Sequence, residues 1–421
     1  MAPKPTKKRA RASGAGDRLS ALPDELLHRI LSFLPATEVV QTTVLSRRWK
    51  DLWCSTPFIH IDGREFGEFN QEMDQEDAVE RWGRFEDFTT NFLLFHSNAV
   101  SLHEFRIYAP YEWSYDDTCR DDRDVERWIR RGIKYCPQVL DIESLGSSTL
   151  RLPHLESSVC RRLRRLRLNY VELDSRFGEL LCSSCSVLED LELIDCATDF
   201  QDITSSTLKK LVLRSSSHDP MVINTPGLVY LHLEYYDGGI SVCKTASIGK
   251  ATISLDCCCR ISEKDQRGLL GSLFSVTSLE LHGFKTMAFL KKKSDEFPIF
   301  PMMRTLLLVR CFHVKYHFDD KLDLDDDLDA LGSFLQNAPC LEKLTLSHCR
   351  FHTSSGSESD IARKSITLRH HDQKAFQCQK LKLIELVYSD DHDHGLIELV
   401  WRLGRVLPDA SIKLTKQVEE Y

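Results

Sequence analysis

Cys182 and Cys185 form a CxxC, the spacing at which two thiolates can share a zinc ion. No second cysteine pair stands at zinc-like distance, so no metal site is expected there. Cys257, Cys258 and Cys259 are consecutive; in a strand their side chains alternate between faces and cannot jointly grip one ion. The run DDKLDLDDDLD from Asp319 to Asp329 has carboxylates enough for calcium but lacks the glycine turn and terminal glutamate of an EF-hand loop. It reads as a solvated acidic insertion. The same reading applies to DDHDHG at Asp390 to Gly395 and to His370 and His371, which mark exposed loops, and residues 352–360 (HTSSGSESD) are small and polar. No serine nucleophile elbow, phosphate-cradling loop, dinucleotide fingerprint or catalytic-cysteine signature occurs. The expectation is a protein without catalytic residues, metal or cofactor.

If the chain works by binding, its elements must supply surfaces. It has 421 residues, 42% hydrophobic and 28% charged, enough to fold either as several domains or as an elongated array. Its net charge of −8 lacks the positive excess of a phosphate binder, so nucleic acid is not an expected partner. The local exception is a basic, Ala/Pro-rich start with Lys4, Lys7, Lys8, Arg9 and Arg11. Lys7, Lys8, Arg9 and Arg11 suit a nuclear import signal, and a solvated tail fits the same composition. The start has no apolar h-region and no run approaches a membrane span, so a soluble protein of nucleus or cytoplasm is expected. In that reducing setting the 15 cysteines are expected to be thiols.

The densest apolar segment comes early. Pro23 suits a first helical turn, with Asp24 and Glu25 at the positive end of the helix dipole, and Leu26, Leu27, Ile30, Leu31 and Leu34 recur at helical spacing until Pro35. Thr37 is the expected N-cap of a second helix carrying Val40 and Val44, and Ser46 of a third carrying Trp49, Leu52 and Trp53. Three short helices cannot bury so many large side chains among themselves, so some must face another surface.

The stretch from Asp17 to Asp62, with its Leu22-Pro23 opening, Leu34-Pro35 break and VLSRRWKDLW segment, resembles a plant F-box. The resemblance implies binding to a SKP-type adaptor, which bridges to a cullin-RING ubiquitin ligase. The positions it carries over are Leu22, Pro23, Leu26, Ile30, Leu31, Leu34, Pro35, Val44, Leu45, Trp49 and Leu52, some of which must be internal core. Catalysis by such a complex is a proximity effect that asks no chemistry of this subunit.

Beyond residue 102 an apolar pattern recurs, seen cleanly in Leu188, Leu191, Leu193 and Cys196, in Met303, Leu306, Leu308 and Cys311, and in Leu341, Leu344, Leu346 and Cys349. Leu188, Leu208, Leu228 and Ile248 repeat every 20 residues, which resembles leucine-rich repeats. Such repeats place alternating apolar residues on short strands facing inward, with the cysteines at the turn-closing position. Before them, Phe85, Phe88, Phe92 and Phe95 follow helical spacing, and VERWIRRGIKYCPQVLDI reads as a helix leading into a strand. At the other end a strand, an acidic loop, a helix with Leu396, Val400, Leu403 and Leu407, and a last strand are similar to the FBD segment that ends many such proteins.

The expected fold is therefore α/β: a basic tail over 1–16, a three-helix F-box over 17–62, a solenoid of mostly parallel strands with a helical N-terminal cap over 63–375, and an FBD-like cap over 376–421. Between the inward leucines lies a polar face suited to a partner: Arg165, Arg167, Asp190, Glu192, Lys210, Arg214, Tyr230, His232, Glu234, Glu280 and His282. Its mixed signs favour a protein over a polyanion. The function expected from the resemblance is substrate recognition for a ubiquitin ligase. The alternatives are a repeat scaffold that does not deliver its partner for degradation and a ligand-dependent sensor.

Overall fold

The computed structural model describes residues 19, 21–67, 75–96, 101–110, 123–144, 150–214, 220–234, 239–243, 247–254, 263–283, 297–311, 324–349, 378–389, 400, 403–404, 407 and 409–417. The basic start, Cys257 to Cys259, His370, His371, residues 352–360 and Asp390 to Gly395 lie outside them. The chain divides into two compact units, residues 1–147 with 153–155, and residues 148–152 with 156–421.

The first unit opens with α1 (Asp24–Leu31), α2 (Ala36–Gln41) and α3 (Trp49–Leu52), the last two each continued by a 3-10 turn. Pro23 caps α1 from an extended conformation, and Asp24 and Glu25 occupy its first turn as charge and dipole require. The caps of the next two helices differ from expectation. Pro35, with φ −67, already enters α2 in the N-cap position, so Thr37 falls inside the helix and its hydroxyl donates to Glu65 instead. The α3 turn starts at Trp49, whose N–H donates to the backbone carbonyl of Ser46 at 3.1 Å, with Arg48 as the residue before the helix. Leu27, Leu31, Val39, Trp49 and Leu52 form a closed core, with Leu22, Leu34 and Trp53 packed on it.

Three parallel strands follow: β1 (Phe58–Asp62), β2 (Glu104–Ala109) and β3 (Val139–Ser144), interleaved with α4 (Gln75–Phe95) and α5 (Arg123–Ile133). Ile59, Phe105 and Leu140 lie in one register and Ile61, Ile107 and Ile142 in the next, all buried. The phenylalanine run does form one helix, and it joins the parts of this unit. Phe92 stacks on Trp53 at 5.2 Å, Phe85 meets Trp128 edge-on at 5.4 Å, and Trp128 Nε1 donates to Thr90 at 3.0 Å. Buried His96, just past α4, lies 2.8 Å through Nε2 from the Thr56 carbonyl, and burial lowers its pKa.

The second unit holds α6 (Ser157–Cys160), β4 (Arg165–Asn169), β5 (Glu172–Leu173), α7 (Ser175–Ser183), β6 (Asp190–Ile194), β7 (Ala197–Thr198), β8 (Asp202–Thr204), β9 (Lys210–Arg214) and β10 (Met221–Asn224). It continues with β11 (Tyr230–Glu234), β12 (Ile240–Val242), β13 (Lys250–Ser254), α8 (Glu263–Ser272), β14 (Ser278–His282), β15 (Thr305–Val309), α9 (Leu324–Asn337), β16 (Lys343–Ser347), β17 (Leu383–Tyr388) and β18 (Ser411–Lys416). β4, β6, β9, β11 and β13 to β18 pair in that order, every described pairing being parallel. The 20-residue spacing is thus one strand per rung, in unshifted register. Separate from it are a small sheet β12-β10-β8 and the pair β5-β7. The acidic run is not all insertion: from Leu324 its backbone belongs to α9. Of the expected C-terminal helix, Leu403 and Gly404 are helical, Leu403 and Leu407 are buried, and Leu396 lies outside the described residues.

Five of the rungs end alike. Tyr170, Asp195, Gly283, Arg310 and His348 each follow the last residue of a strand at φ between 48 and 66. The left-handed residue turns the chain out of the sheet while its N–H still reaches across the ladder, as Arg310 does to the Ser347 carbonyl and His348 to the Val387 carbonyl. Next in sequence come the turn-closing cysteines. Cys311 donates to the carbonyls of Leu281 (3.5 Å) and Val309 (3.4 Å), Cys196 to Leu168 and Ile194, and Cys349 to Leu308 and Ser347. A small, weak donor is what a buried corner with spare carbonyl lone pairs accommodates.

Candidate functional site

Two surfaces emerge, one on each unit. On the first, the residues of the F-box resemblance separate by exposure. Leu31, Trp49 and Leu52 are in the core, and Leu22 and Leu34 lean on it. Pro35 is half-buried and Pro23 exposed. Leu26, Ile30, Val44 and Leu45 are exposed, Val44 at 86%. Phe33, 80% exposed, joins them, although the spacing of the leucines gave no reason to single it out. Leu26, Ile30 and Phe33 are four and three residues apart, one face of α1 carried through its last turn. Burying such side chains is worth about 1.5–3 kcal/mol each, so a folded unit that leaves them in water presents an interface.

On the second unit, the outward residues of each strand form rows across the sheet. Arg165, Asp190, Lys210, Tyr230 and Lys250 share the first row, and Arg167, Glu192, His232, Thr252 and Glu280 the second. Arg214 and Glu234 pair in a third, with His282 two residues beyond Glu280. All eleven face residues expected from sequence therefore stand on registered strands.

Four carboxylates in or beside the strands of this sheet are held between two cations. Glu192 lies between Arg167 (3.7 Å) and Lys210, Glu189 between Arg164 (3.9 Å) and Lys209 (3.0 Å), and Glu342 between Arg304 (3.6 Å) and Lys382 (3.3 Å). Glu385, bonded by Lys343 at 2.8 Å and Lys413 at 2.7 Å, has its pKa pulled down to about 2. Arg165 with Asp190 (2.9 Å) and Arg214 with Asp195 (3.8 Å) are simple pairs. Around β11 to β14 the pattern changes: Glu280 meets His282 at 2.8 Å and Glu234 meets His232 at 3.7 Å. Burial lowers the His232 pKa, opposed by Glu234 and Glu280. Tyr230 sits between Lys210 and Lys250, at 6.0 and 5.6 Å from its ring.

The CxxC does not converge. Cys185 is buried, while Cys182 is exposed beside a cavity of about 230 Å³ lined also by Ser175, Glu179, Phe200 and Asp202. Among the described residues no group of three His, Cys, Asp or Glu could hold a metal, and no helix is long and apolar enough to cross a membrane.

Comparison with known proteins accords with this architecture. The F-box domain family matches residues 19–61. The chain is 32% identical over 370 residues to the meiotic F-box protein MOF of Oryza sativa subsp. japonica, spanning 80% of this chain and 72% of that one. It is 28% identical over 382 residues to an F-box/FBD/LRR-repeat protein of Arabidopsis thaliana, 79% of each chain, and 29% identical over 373 residues to a putative FBD-associated F-box protein of the same plant, 78% and 81%. With helices in the matched segment and a parallel repeat sheet after it, the chain belongs to the plant F-box/LRR-repeat proteins.

Proposed function

We propose that the protein is the substrate-recognition subunit of a SKP-cullin-F-box ubiquitin ligase, without catalytic residues of its own. The observation that carries this reading is that Leu26, Ile30 and Phe33 on one face of α1, with Val44 and Leu45 after α2, stay exposed outside the core of these helices. An F-box implies a SKP-type adaptor as partner, and the adaptor connects to the cullin-RING machinery. The outward rows of β4 to β14, from Arg165 to His282, then hold a target protein so that its lysines meet an activated ubiquitin thioester. Lys7, Lys8, Arg9 and Arg11 are proposed as an import signal for a protein working in nucleus and cytoplasm.

The test is a pull-down from plant cell extract with the wild type and with Leu26→Asp/Ile30→Asp, reading adaptor and cullin by mass spectrometry. Recovery with the wild type and loss with the variant is the expected result. Absence of both from the wild-type sample overturns the reading and leaves a scaffold that does not deliver its partner.

A further inference from the structure

Within the repeat unit, charge is graded along the strands. At the leading edge, where strands begin, the first residue of each of the ten strands and the residue before it contribute eight cations against three carboxylates; third positions contribute two against three, and fifth positions one against one. This edge stands on a chain whose net charge is −8. The surplus is cancelled only in part: Arg165 pairs with Asp190, and Lys210 and Lys343 bond Glu192 and Glu385 of the third positions, while the others share or lack a carboxylate. One carboxylate, Glu189, serves both Arg164 and Lys209, one, Glu342, serves both Arg304 and Lys382, and Lys250 has no carboxylate at ion-pair distance among the described residues. The two cations that share Glu342 remain accessible, Arg304 at 67% and Lys382 at 76%.

We propose that this leading edge docks an acidic segment of the target polypeptide. The proposal rests on the reading of the repeat unit as the target-holding part. Glu189 and Glu342, just before β6 and β16, alternate with cations just before the strands either side, Arg164 and Lys209 and Arg304 and Lys382. With neighbouring strands about 4.8 Å apart, cation columns flanking one carboxylate stand about 10 Å from each other. An extended peptide crossing the edge advances about 3.3 Å per residue, so acids at every third position meet the cations while neutral residues pass the carboxylates. A nucleic-acid backbone, charged at every unit, would run onto Glu189 and Glu342. Exposed pairs of this kind contribute little singly, so selectivity comes from the array and weakens with salt.

The experiment uses the full chain with its adaptor and four probes: fluorescein-labelled peptides with glutamate, with glutamine or with lysine at every third position, and a single-stranded oligonucleotide of similar length, each titrated by anisotropy at low and high salt. The glutamate peptide is expected to bind best and to lose affinity with salt. Lys250→Glu/Arg304→Glu/Lys382→Glu should weaken it roughly tenfold or more, whereas Glu342→Gln, a mild change on an exposed edge, should tighten it. Equal affinity for the glutamate and lysine peptides, oligonucleotide binding as tight as the glutamate peptide, or indifference to both variants overturns the proposal. Adaptor retention on the same samples reads the F-box separately, so a chain that holds adaptor but shows no acidic preference loses only this inference.

Discussion

At the scale of single residues, the cysteines separate by environment. Cys196, Cys311 and Cys349 are buried donors to backbone carbonyls, and burial pushes the Cys196 thiol up to about 11. A thiol so placed is not a nucleophile at neutral pH. Exposed Cys182 is therefore expected to alkylate with iodoacetamide in the native protein while those three stay protected until denaturant is added, which peptide mass spectrometry reads directly. Cys311→Ala, which leaves two carbonyls without that donor and a small void, should cost about 1 kcal/mol in denaturant unfolding. The turn-closing role could be read from the sequence because the cysteines recur at a fixed offset from the leucines. The left-handed residues that end these strands were not legible: Tyr170, Asp195, Arg310 and His348 share no side-chain chemistry, only a backbone position.

At the scale of elements, local rules located the helices and strands but misassigned caps. Thr37 and Ser46 have the right chemistry for an N-cap, yet proline at 35 had already taken that place in one case, and in the other the chain turned through residues 46–48 before helix began. Phe33 stands between Leu31 and Leu34, so the leucine spacing alone did not mark its exposed ring. The joint between α4 and the F-box helices depends on His96, which no spacing rule marks. Burial lowers the pKa of its ring, with Nε2 toward the Thr56 carbonyl and Nδ1 buried without a hydrogen-bond partner among the described residues. An unfolded histidine takes a proton near pH 6.5. The folded value is lower, so between the two the unfolded chain binds the extra proton: the contribution to stability is complete above about pH 6.5 and is lost as pH falls through the folded pKa. Melting temperature should drop from pH 7.5 to pH 5.5, and His96→Gln, which keeps a donor but cannot titrate, should flatten part of that drop; an unchanged slope would falsify the assignment.

At the scale of the whole molecule, the period of 20 residues in Leu188, Leu208, Leu228 and Ile248 sufficed to announce stacked parallel strands, because each rung must bury its leucines against the next. The polar face followed from the same alternation. Its charge gradient did not, since it appears only when strands separated by unequal loops are set in register. The two units divide the work proposed for them: an apolar face for a constant partner on one, a charged face for a selected partner on the other. A lesion in either face should therefore leave the other's binding intact, whereas a core lesion such as Leu27→Ala, predicted to cost about 2–5 kcal/mol, should impair the F-box helices themselves.

The most direct measurement is a calorimetric titration of purified SKP-type adaptor into the wild-type chain, Leu26→Asp/Ile30→Asp and Lys250→Glu/Arg304→Glu/Lys382→Glu, with thermal melts alongside. The expectation is that the first variant loses adaptor affinity by more than about a hundredfold at an unchanged melting temperature, and that the second binds adaptor as the wild type does. Adaptor binding that survives both aspartates, in a chain that still melts like the wild type, would contradict it.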